Sequence, residues 1–227
     1  RDGTVAIVWK PKENLPMHPN GMQIGVIEPN GDVSDVWTYY SIGGGDIVCV
    51  ENPIAEEGGE DVYELTTMKE ILDWCNASGK DFWEYVDERE GRSTGIWEHL
   101  EKVWKVMRSA VERGIDQEGS LPGTLNLRRK ASSYFIRAEG YSDVLRTRGL
   151  IFAYALAVSE ENAAGGTIVT APTCGSCGTL PSVLYHMQTR YKFSDERILR
   201  ALATCGLIGN IVRHNASVSG AEVGCQG

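Results

Sequence analysis

The sequence predicts an α+β fold, in which a short sheet is followed by a helical region. Runs of β-branched and aromatic residues fill residues 1–50, whereas apolar stripes at helical spacing follow from residue 67 onward. The acidic, glycine-containing segment ENPIAEEGGED at 51–61 has no apolar period and separates the two regions. We therefore expect the C-terminal part of a small α/β domain at residues 1–58 and an all-helical domain at 59–227.

The N-terminal region contains three strand-like runs, TVAIVW at 4–9, QIGVIE at 23–28 and VWTYYSI at 36–42. Asn30-Gly31 lies between the second and the third, and this pair favours the positive φ angles of a hairpin turn. The run DIVCV, with Cys49, has the same strand character. These runs predict part of a sheet.

The C-terminal region shows helical apolar periods with recognisable ends. Thr67 and Glu70 have the spacing of a capping box, Gly114 is placed to stop a helix over 95–113, and Ser194 is a candidate N-cap. Apolar stripes follow these signals at Met68, Ile71, Leu72 and Cys75, at Ile96, Leu100, Val103, Met107 and Val111, and at Ile198, Leu202, Cys205, Ile208 and Val212.

Composition excludes several classes of protein. The 227 residues carry a formal net charge of -9, which argues against a nucleic-acid partner, because a phosphate backbone requires a basic face. The most apolar run, LIFAYALAV at 150–158, is about half the length that spans a bilayer, so we expect a buried helix and no membrane partner. Six cysteines without a signal peptide indicate reduced thiols in an intracellular, cytoplasmic location.

Residues 170–181, TAPTCGSCGTLP, contain a C-x-x-C pair whose spacing alone suits a disulfide, a zinc knuckle, a redox pair or an iron–sulfur ligand. The pair lies in a glycine-rich loop at 163–178, and a second such loop, NASVSGAEVGCQG, occupies 215–227. Glycine lets the backbone approach a bound group and point N–H donors at it. One cysteine from each loop, Cys177 and Cys225, could share a metal centre.

Several motifs resemble those of the iron–sulfur-dependent L-serine dehydratases, also called L-serine ammonia-lyases. They are HPNGM at 18–22, YYSIGGG at 39–45, LPGTLNLRRKA at 121–131, ENAAGGTIVTAPT at 161–173 and NASVSGAEVGCQG at 215–227. Their order and spacing also match, and the resemblance covers nearly the whole chain. The acidic segment near 51–64 is the least similar part.

The resemblance implies a lyase that uses a 4Fe-4S cluster and no pyridoxal phosphate. In the family three cysteines hold the cluster and leave one iron open as a Lewis acid for the serine hydroxyl. Loss of the α-proton and of water then gives aminoacrylate, which decays to pyruvate and ammonia. The expected substrate is L-serine, the expected assembly is a homodimer, and the helical region becomes the cluster-binding domain.

Carried over by motif, Cys177 and Cys225 are the expected metal ligands, and Cys174 is a bystander. The third ligand of the family lies beyond Gly227 and an active-site loop lies before Arg1, so we expect a fragment that is inactive alone. The remaining cysteines, Cys49, Cys75 and Cys205, are expected in the core.

In the N-terminal region Ser41 is the expected catalytic residue. A nest of N–H groups at Gly43, Gly44 and Gly45 is expected to hold the substrate carboxylate, with His18 in support. We expect the substrate to lie between the two regions. The simpler alternatives are a turn-capping role for Ser41 and a surface position for His18.

Other polar residues have structural interpretations. His99, His186 and His214 lie within or at the ends of helices, and Arg128, Arg129 and Lys130 form a basic run of the kind usually found in solvent. Glu161 and Asn162 are placed to cap a helix end.

Two rival functions remain open from the sequence. A zinc- or redox-type C-x-x-C binding module requires Cys174 as much as Cys177, and a related cluster enzyme acting as a cysteine desulfidase would share the same loops.

Overall fold

The computed structural model describes residues 4–43, 46–53, 62–91, 95–170 and 174–215, with Gly43 and Asp46 described in the backbone only. Contacts divide the chain into two compact units, one within Arg1–Gly59 and one within Glu60–Val218. We call them the sheet unit and the helical unit.

The sheet unit contains a three-stranded antiparallel sheet, and its strands follow the chain order. The strands are β1 (Gly21–Ile27), β2 (Val33–Gly43) and β3 (Asp46–Cys49). Gly31 adopts φ +89° in the connection from β1 to β2, as the Asn30-Gly31 pair predicts, and its N–H donates to the carbonyl of Glu28 at 2.9 Å. Cys49 is buried, as expected.

The strand predicted at residues 4–9 is wrong, because the described backbone there forms no ladder. Val5, Val8 and Trp9 are largely exposed. The tendency of such residues to form strands depends on a neighbouring strand that supplies backbone partners and a surface to pack against. Without that pairing, local sequence preference does not produce a strand.

The helical unit contains seven α-helices within the described residues, and the predicted α+β class is confirmed. They are α1 (Met68–Ser78), α2 (Phe82–Glu90), α3 (Ile96–Asp116), α4 (Ala131–Glu139), α5 (Asp143–Ala163), α6 (Thr179–Tyr191) and α7 (Asp195–Asn215). None of the helices in the described segments is long and apolar enough to cross a membrane.

Two predicted helix starts are confirmed by their hydrogen bonds. The Glu70 N–H donates to the Thr67 hydroxyl and the Glu70 carboxylate accepts from the Thr67 backbone, which completes the capping box of α1. At α7 the Arg197 N–H donates to the hydroxyl of Ser194 at 3.4 Å. Both starts depend on residues close in sequence, so they were predictable.

Gly114 does not stop α3, contrary to the prediction, because the helix continues to Asp116. A β-carbon at Gly114 would overlap the backbone carbonyl of Ala157 on α5. This glycine therefore permits the two helices to pack closely instead of ending one of them.

The core of the helical unit has two apolar clusters. The first joins α1, α2, α3, α6 and α7, and the second joins α3, α4 and α5 with Cys177. Three residues of the predicted stripes are exposed: Leu72, Ile208 and Val212. Large residues outside those stripes complete the first cluster, notably Tyr85 and Trp104.

Candidate functional site

In the sheet unit, Asn20 connects the two polar residues singled out by the sequence. Its backbone N–H donates to Nδ1 of His18 at 3.1 Å. Its carbonyl accepts from the Ser41 N–H at 3.0 Å, and its side-chain amide donates to the Ser41 carbonyl at 3.4 Å. The structure thus brings His18 and Ser41 to either side of Asn20, a residue of the HPNGM motif that was not predicted to have a role.

His18 is buried, with 8% of its surface exposed, so the surface interpretation of this residue is wrong. A ring nitrogen that accepts a backbone N–H carries no proton, which places the proton of the neutral ring on Nε2. The bond therefore fixes both the tautomer and the orientation of the ring.

Ser41 lies inside β2, opposite Ile47 of β3, and is exposed. The pairing becomes irregular between Ser41 and Gly43, and Gly43 pairs with Asp46. Gly43 therefore lies where the pairing of β2 with β3 becomes irregular, and Gly44 and Gly45 lie outside the described residues. Ser41 keeps an accessible side chain on a strand that is paired through its backbone.

In the helical unit, the two cysteines of the C-x-x-C pair have different surroundings. Cys174 is exposed and begins a short 3-10 turn, Cys174–Ser176. Cys177 is fully buried in the second apolar cluster, and its N–H donates to the carbonyl of Cys174 at 3.4 Å. The adjacent Gly178 lies so close to α5 that a β-carbon would overlap the Ala155 carbonyl. The loop thus presents one thiol to solvent and the other to the interior.

Cys177 fits the chemistry of an iron ligand, because its thiol is a soft donor of the kind that holds iron–sulfur clusters. It lies just before the N-terminus of α6, within the second apolar cluster. Cys225 lies outside the described residues. Across the segments that the structure describes, no group of three His, Cys, Asp or Glu residues is arranged to hold a metal ion. Of the two predicted ligands, the described residues therefore include Cys177 but not Cys225.

Two polar side chains at the end of α5 hold neighbouring segments in place. The side-chain amide of Asn162 donates to the Cys174 carbonyl at 3.0 Å, which ties the cysteine loop to the helix. The carboxylate of Glu160 accepts from the N–H groups of Lys130 and Ala131 at 2.6 and 3.2 Å, at the start of α4. Glu160 thereby satisfies donors that a helix N-terminus leaves unpaired.

Glu161 is the centre of a buried charge network. It accepts from Nη1 of Arg129 at 3.1 Å and from Nε of Arg113 at 3.0 Å. Arg113 also donates through Nη2 to the Thr167 carbonyl at 2.7 Å, and the N–H of Gly166 donates to the Glu161 carbonyl at 2.8 Å. We call these residues the Glu161 network; it joins α3, α5, the segment before α4 and the glycine-rich loop after α5.

The network corrects two interpretations made from the sequence. Arg128 and Lys130 are exposed as expected, but the side chain of Arg129 is only 8% exposed and pairs with Glu161. Glu161 is a buried junction between segments and not only a helix cap. The residues are separated by 32 positions, so no local pattern reveals the pair. The one available signal was that each lies in a motif of the family resemblance.

Comparison with known proteins gives several relatives across almost the whole chain. An L-serine dehydratase of Haemophilus influenzae is 40% identical over 223 residues, which covers 94% of this chain and 49% of the relative. L-serine dehydratase 1 of Escherichia coli K12 is 40% identical over 226 residues, and an L-serine dehydratase of Streptomyces coelicolor is 39% identical over 226. The chain spans about half the length of these relatives.

The family matches divide the chain in the same order as its two units. Residues 2–52 match the serine dehydratase beta chain, and residues 59–227 match the serine dehydratase alpha chain. This chain belongs to the serine dehydratase family, as the motif resemblance predicts.

Proposed function

We propose that the protein containing this chain is an L-serine ammonia-lyase, a lyase that converts L-serine to pyruvate and ammonia in serine degradation. The observation that carries this proposal is the 40% identity to an L-serine dehydratase over 94% of the chain. Residues 2–52 and 59–227 each match a serine dehydratase chain, so the similarity is not confined to the helical unit.

The reaction is an elimination followed by hydrolysis. A base takes the proton from Cα, the electron pair of that bond forms the Cα–Cβ double bond, and the Cβ–O bond breaks with loss of water. The product, aminoacrylate, becomes an imine, and water then releases ammonia and pyruvate. The reaction needs an anchored carboxylate, a base near Cα and an electrophile near the hydroxyl.

The sheet unit supplies candidates for anchoring the substrate carboxylate and for catalysis. We assign substrate binding to His18 and to the backbone N–H groups of Gly43, Gly44 and Gly45, and we assign the catalytic role to Ser41. The bond from Asn20 to His18 and the paired backbone of β2 support this assignment, because they fix the His18 ring and the backbone of Ser41 before substrate binds.

The helical unit supplies the proposed cluster ligands, Cys177 and Cys225. A 4Fe-4S cluster would provide an open iron that polarises the leaving hydroxyl, without pyridoxal phosphate. Asn162 supports the cysteine loop, since its side-chain amide donates to the Cys174 carbonyl. The Glu161 network holds the preceding segment at Gly166 and Thr167. A thiolate-bound cluster suits a reducing, cytoplasmic compartment.

We further propose a homodimer, and a domain boundary near residue 58, in the stretch where neither family matches. The two compact units support the boundary.

The test uses the complete gene product, reconstituted anaerobically with iron and sulfide. We expect pyruvate formation that depends on L-serine, together with the broad visible absorbance of an iron–sulfur cluster. Cys225→Ala and Cys177→Ser should lose both signals, whereas Cys174→Ser is the matched control and should retain them. Equal losses from Cys174→Ser and Cys177→Ser, or bound zinc without labile sulfide, would favour the C-x-x-C module instead.

A further inference from the structure

A cavity of about 260 Å³ lies in the helical unit, and its lining residues do not include those of the cysteine loop or the Glu161 network. Four helices contribute to its wall: α3, α4, α5 and α6. Its lining residues are Glu112, Ile115, Asp116, Phe135, Tyr154, Tyr185 and Thr189. This volume is slightly below that of typical ligand pockets, so it suits a molecule of a few heavy atoms.

Three aromatic rings form the inner wall of the cavity. Tyr154 and Tyr185 meet edge to face with ring centroids 4.9 Å apart, and Phe135 lies 6.1 Å from Tyr154. Aromatic rings carry negative charge on their faces, so clustered rings attract an organic cation whose alkyl groups also gain from leaving water.

Two carboxylates line the same cavity from one face of α3. Glu112 and Asp116 are four residues apart, which makes them neighbours on the helix surface, and like charges at this spacing repel each other. Arg108 lies 3.8 Å from Glu112 and offsets part of this charge. Within the described part of the chain no salt bridge reaches Asp116, so the cavity retains a negative charge.

The surroundings of the cavity raise the pKa of both of its tyrosines, Tyr154 and Tyr185. Burial raises the pKa of Tyr185, the carboxylates of Glu112 and Asp116 raise this pKa further, and Arg108 opposes them. Burial likewise raises the pKa of Tyr154, and the neighbouring Tyr185 raises it further. Both phenols therefore stay neutral at physiological pH and leave the charge of the cavity to the carboxylates.

We propose that this cavity binds a small organic ammonium ion, with its charge near Glu112 and Asp116 and its alkyl groups against Phe135, Tyr154 and Tyr185. The negative charge of the two carboxylates repels anions. A hard metal ion requires about six oxygen ligands, whereas three of the seven lining residues are aromatic and one is isoleucine. The proposal does not rest on serine dehydration.

The test titrates the purified full chain with tetramethylammonium and, separately, with tert-butanol, a neutral molecule of similar shape. Saturation-transfer NMR would measure binding in low-salt buffer. We expect tetramethylammonium to bind at least about tenfold more tightly than tert-butanol and to weaken as salt is added, because its charge is recognised. Equal affinity for the two probes, or no saturable binding of tetramethylammonium up to tens of millimolar, would overturn the proposal.

Variants locate the binding to this cavity. Glu112→Gln with Asp116→Asn should weaken tetramethylammonium binding by about tenfold or more, because both carboxylates are removed without loss of volume. Glu98→Gln with Glu101→Gln is the matched control, since it changes the net charge equally on exposed residues of the same helix. If the two double variants bind equally, the site is elsewhere and the proposal fails. Because all four substitutions are at exposed positions, we expect both variants to fold, and circular dichroism checks this.

Discussion

Individual residues in the sheet unit are held in place by hydrogen bonds to their neighbours. His18 accepts a backbone N–H from Asn20, and Ser41 is attached through its backbone to the same residue. Because these bonds leave the Ser41 hydroxyl accessible, the residue can be tested without removing a structural contact.

Ser41→Ala in the complete protein should lower L-serine turnover by about a hundredfold or more, the effect expected for a positioned hydrogen-bonding or proton-transfer group. Pyruvate formation measures the effect, and the visible spectrum of the cluster should not change. Wild-type turnover in the variant would contradict the catalytic role proposed for Ser41.

His186 gives the helical unit a pH dependence of stability. The residue is 2% exposed, and neither ring nitrogen has a hydrogen-bond partner among the described residues. Burial, followed by the charge of Arg190, lowers its pKa. The unfolded chain therefore binds a proton more readily than the folded one. The stabilising contribution of neutral His186 is fully present above the unfolded pKa of about 6.5 and is lost as pH falls below it.

Urea unfolding should consequently show a lower free energy of unfolding at about pH 5.5 than at about pH 7.5. His186→Leu should reduce this difference, because the group that gains the proton is gone. His99→Gln, at an exposed position, is the control and should keep it. The same pH dependence in His186→Leu as in the wild type would exclude His186 as its source.

At the scale of elements, glycine decides how closely helices approach. Gly114 of α3 and Gly178 before α6 both lie against the α5 backbone, where a β-carbon would overlap a carbonyl. By contrast, no atom of the described residues lies within 4 Å of the β-carbon positions of Gly206 and Gly209 on α7. Glycine therefore permits close helix packing at Gly114 of α3, whereas Gly206 and Gly209 of α7 make no such contact.

Gly114→Ala should destabilise the helical unit by about 1–3 kcal/mol, since two helices must separate to admit the methyl group. Gly209→Ala is the matched substitution and should stabilise by up to about 1 kcal/mol, because alanine favours the helix. Thermal unfolding of both variants measures the difference. A neutral Gly114→Ala would mean that α3 and α5 pack less closely than described.

The Glu161 network joins elements that the chain order keeps apart. Glu161→Gln removes the negative charge that pairs with Arg129. Because the side chains of Glu161 and Arg129 are each only 8% exposed, the positive charge of Arg129 is then buried without a compensating charge. We expect a loss of about 3–5 kcal/mol in unfolding free energy, the usual cost of breaking a buried pair.

The matched control for that loss is Glu196→Gln. It removes the pairing of Glu196 with Arg200 on the surface of α7, where both side chains are exposed, and should cost less than about 1 kcal/mol. Denaturant titrations compare the two variants. Similar small losses from both substitutions would show that the Glu161 network is not structurally important.

At the scale of the whole molecule, the sequence between the two units is acidic and lacks an apolar period. We expect a glutamate-specific protease to cut first within residues 51–61, because such segments are preferred cleavage sites. The larger fragment should keep its helical circular dichroism, since both apolar clusters of the helical unit lie beyond this segment. Earlier cuts elsewhere, or loss of helicity after this cut, would contradict the proposed boundary.

The sequence by itself determined the features that arise between near neighbours. The capping box at Thr67, the turn at Gly31 and the start of α7 after Ser194 all depend on residues within a few positions, so their patterns were sufficient. The family motifs likewise identified the serine dehydratase family, because they are strings of adjacent residues.

Only the tertiary structure decided the features that depend on distant segments. It showed Arg129 and Glu161 as a buried pair, Gly114 as a contact between helices, and residues 4–9 as lacking a strand. It also separated a buried Cys177 from an exposed Cys174, although the two are three residues apart. In each case the outcome depends on which remote backbone or side chain lies nearby, and burial changes the energetic consequence of the same residue.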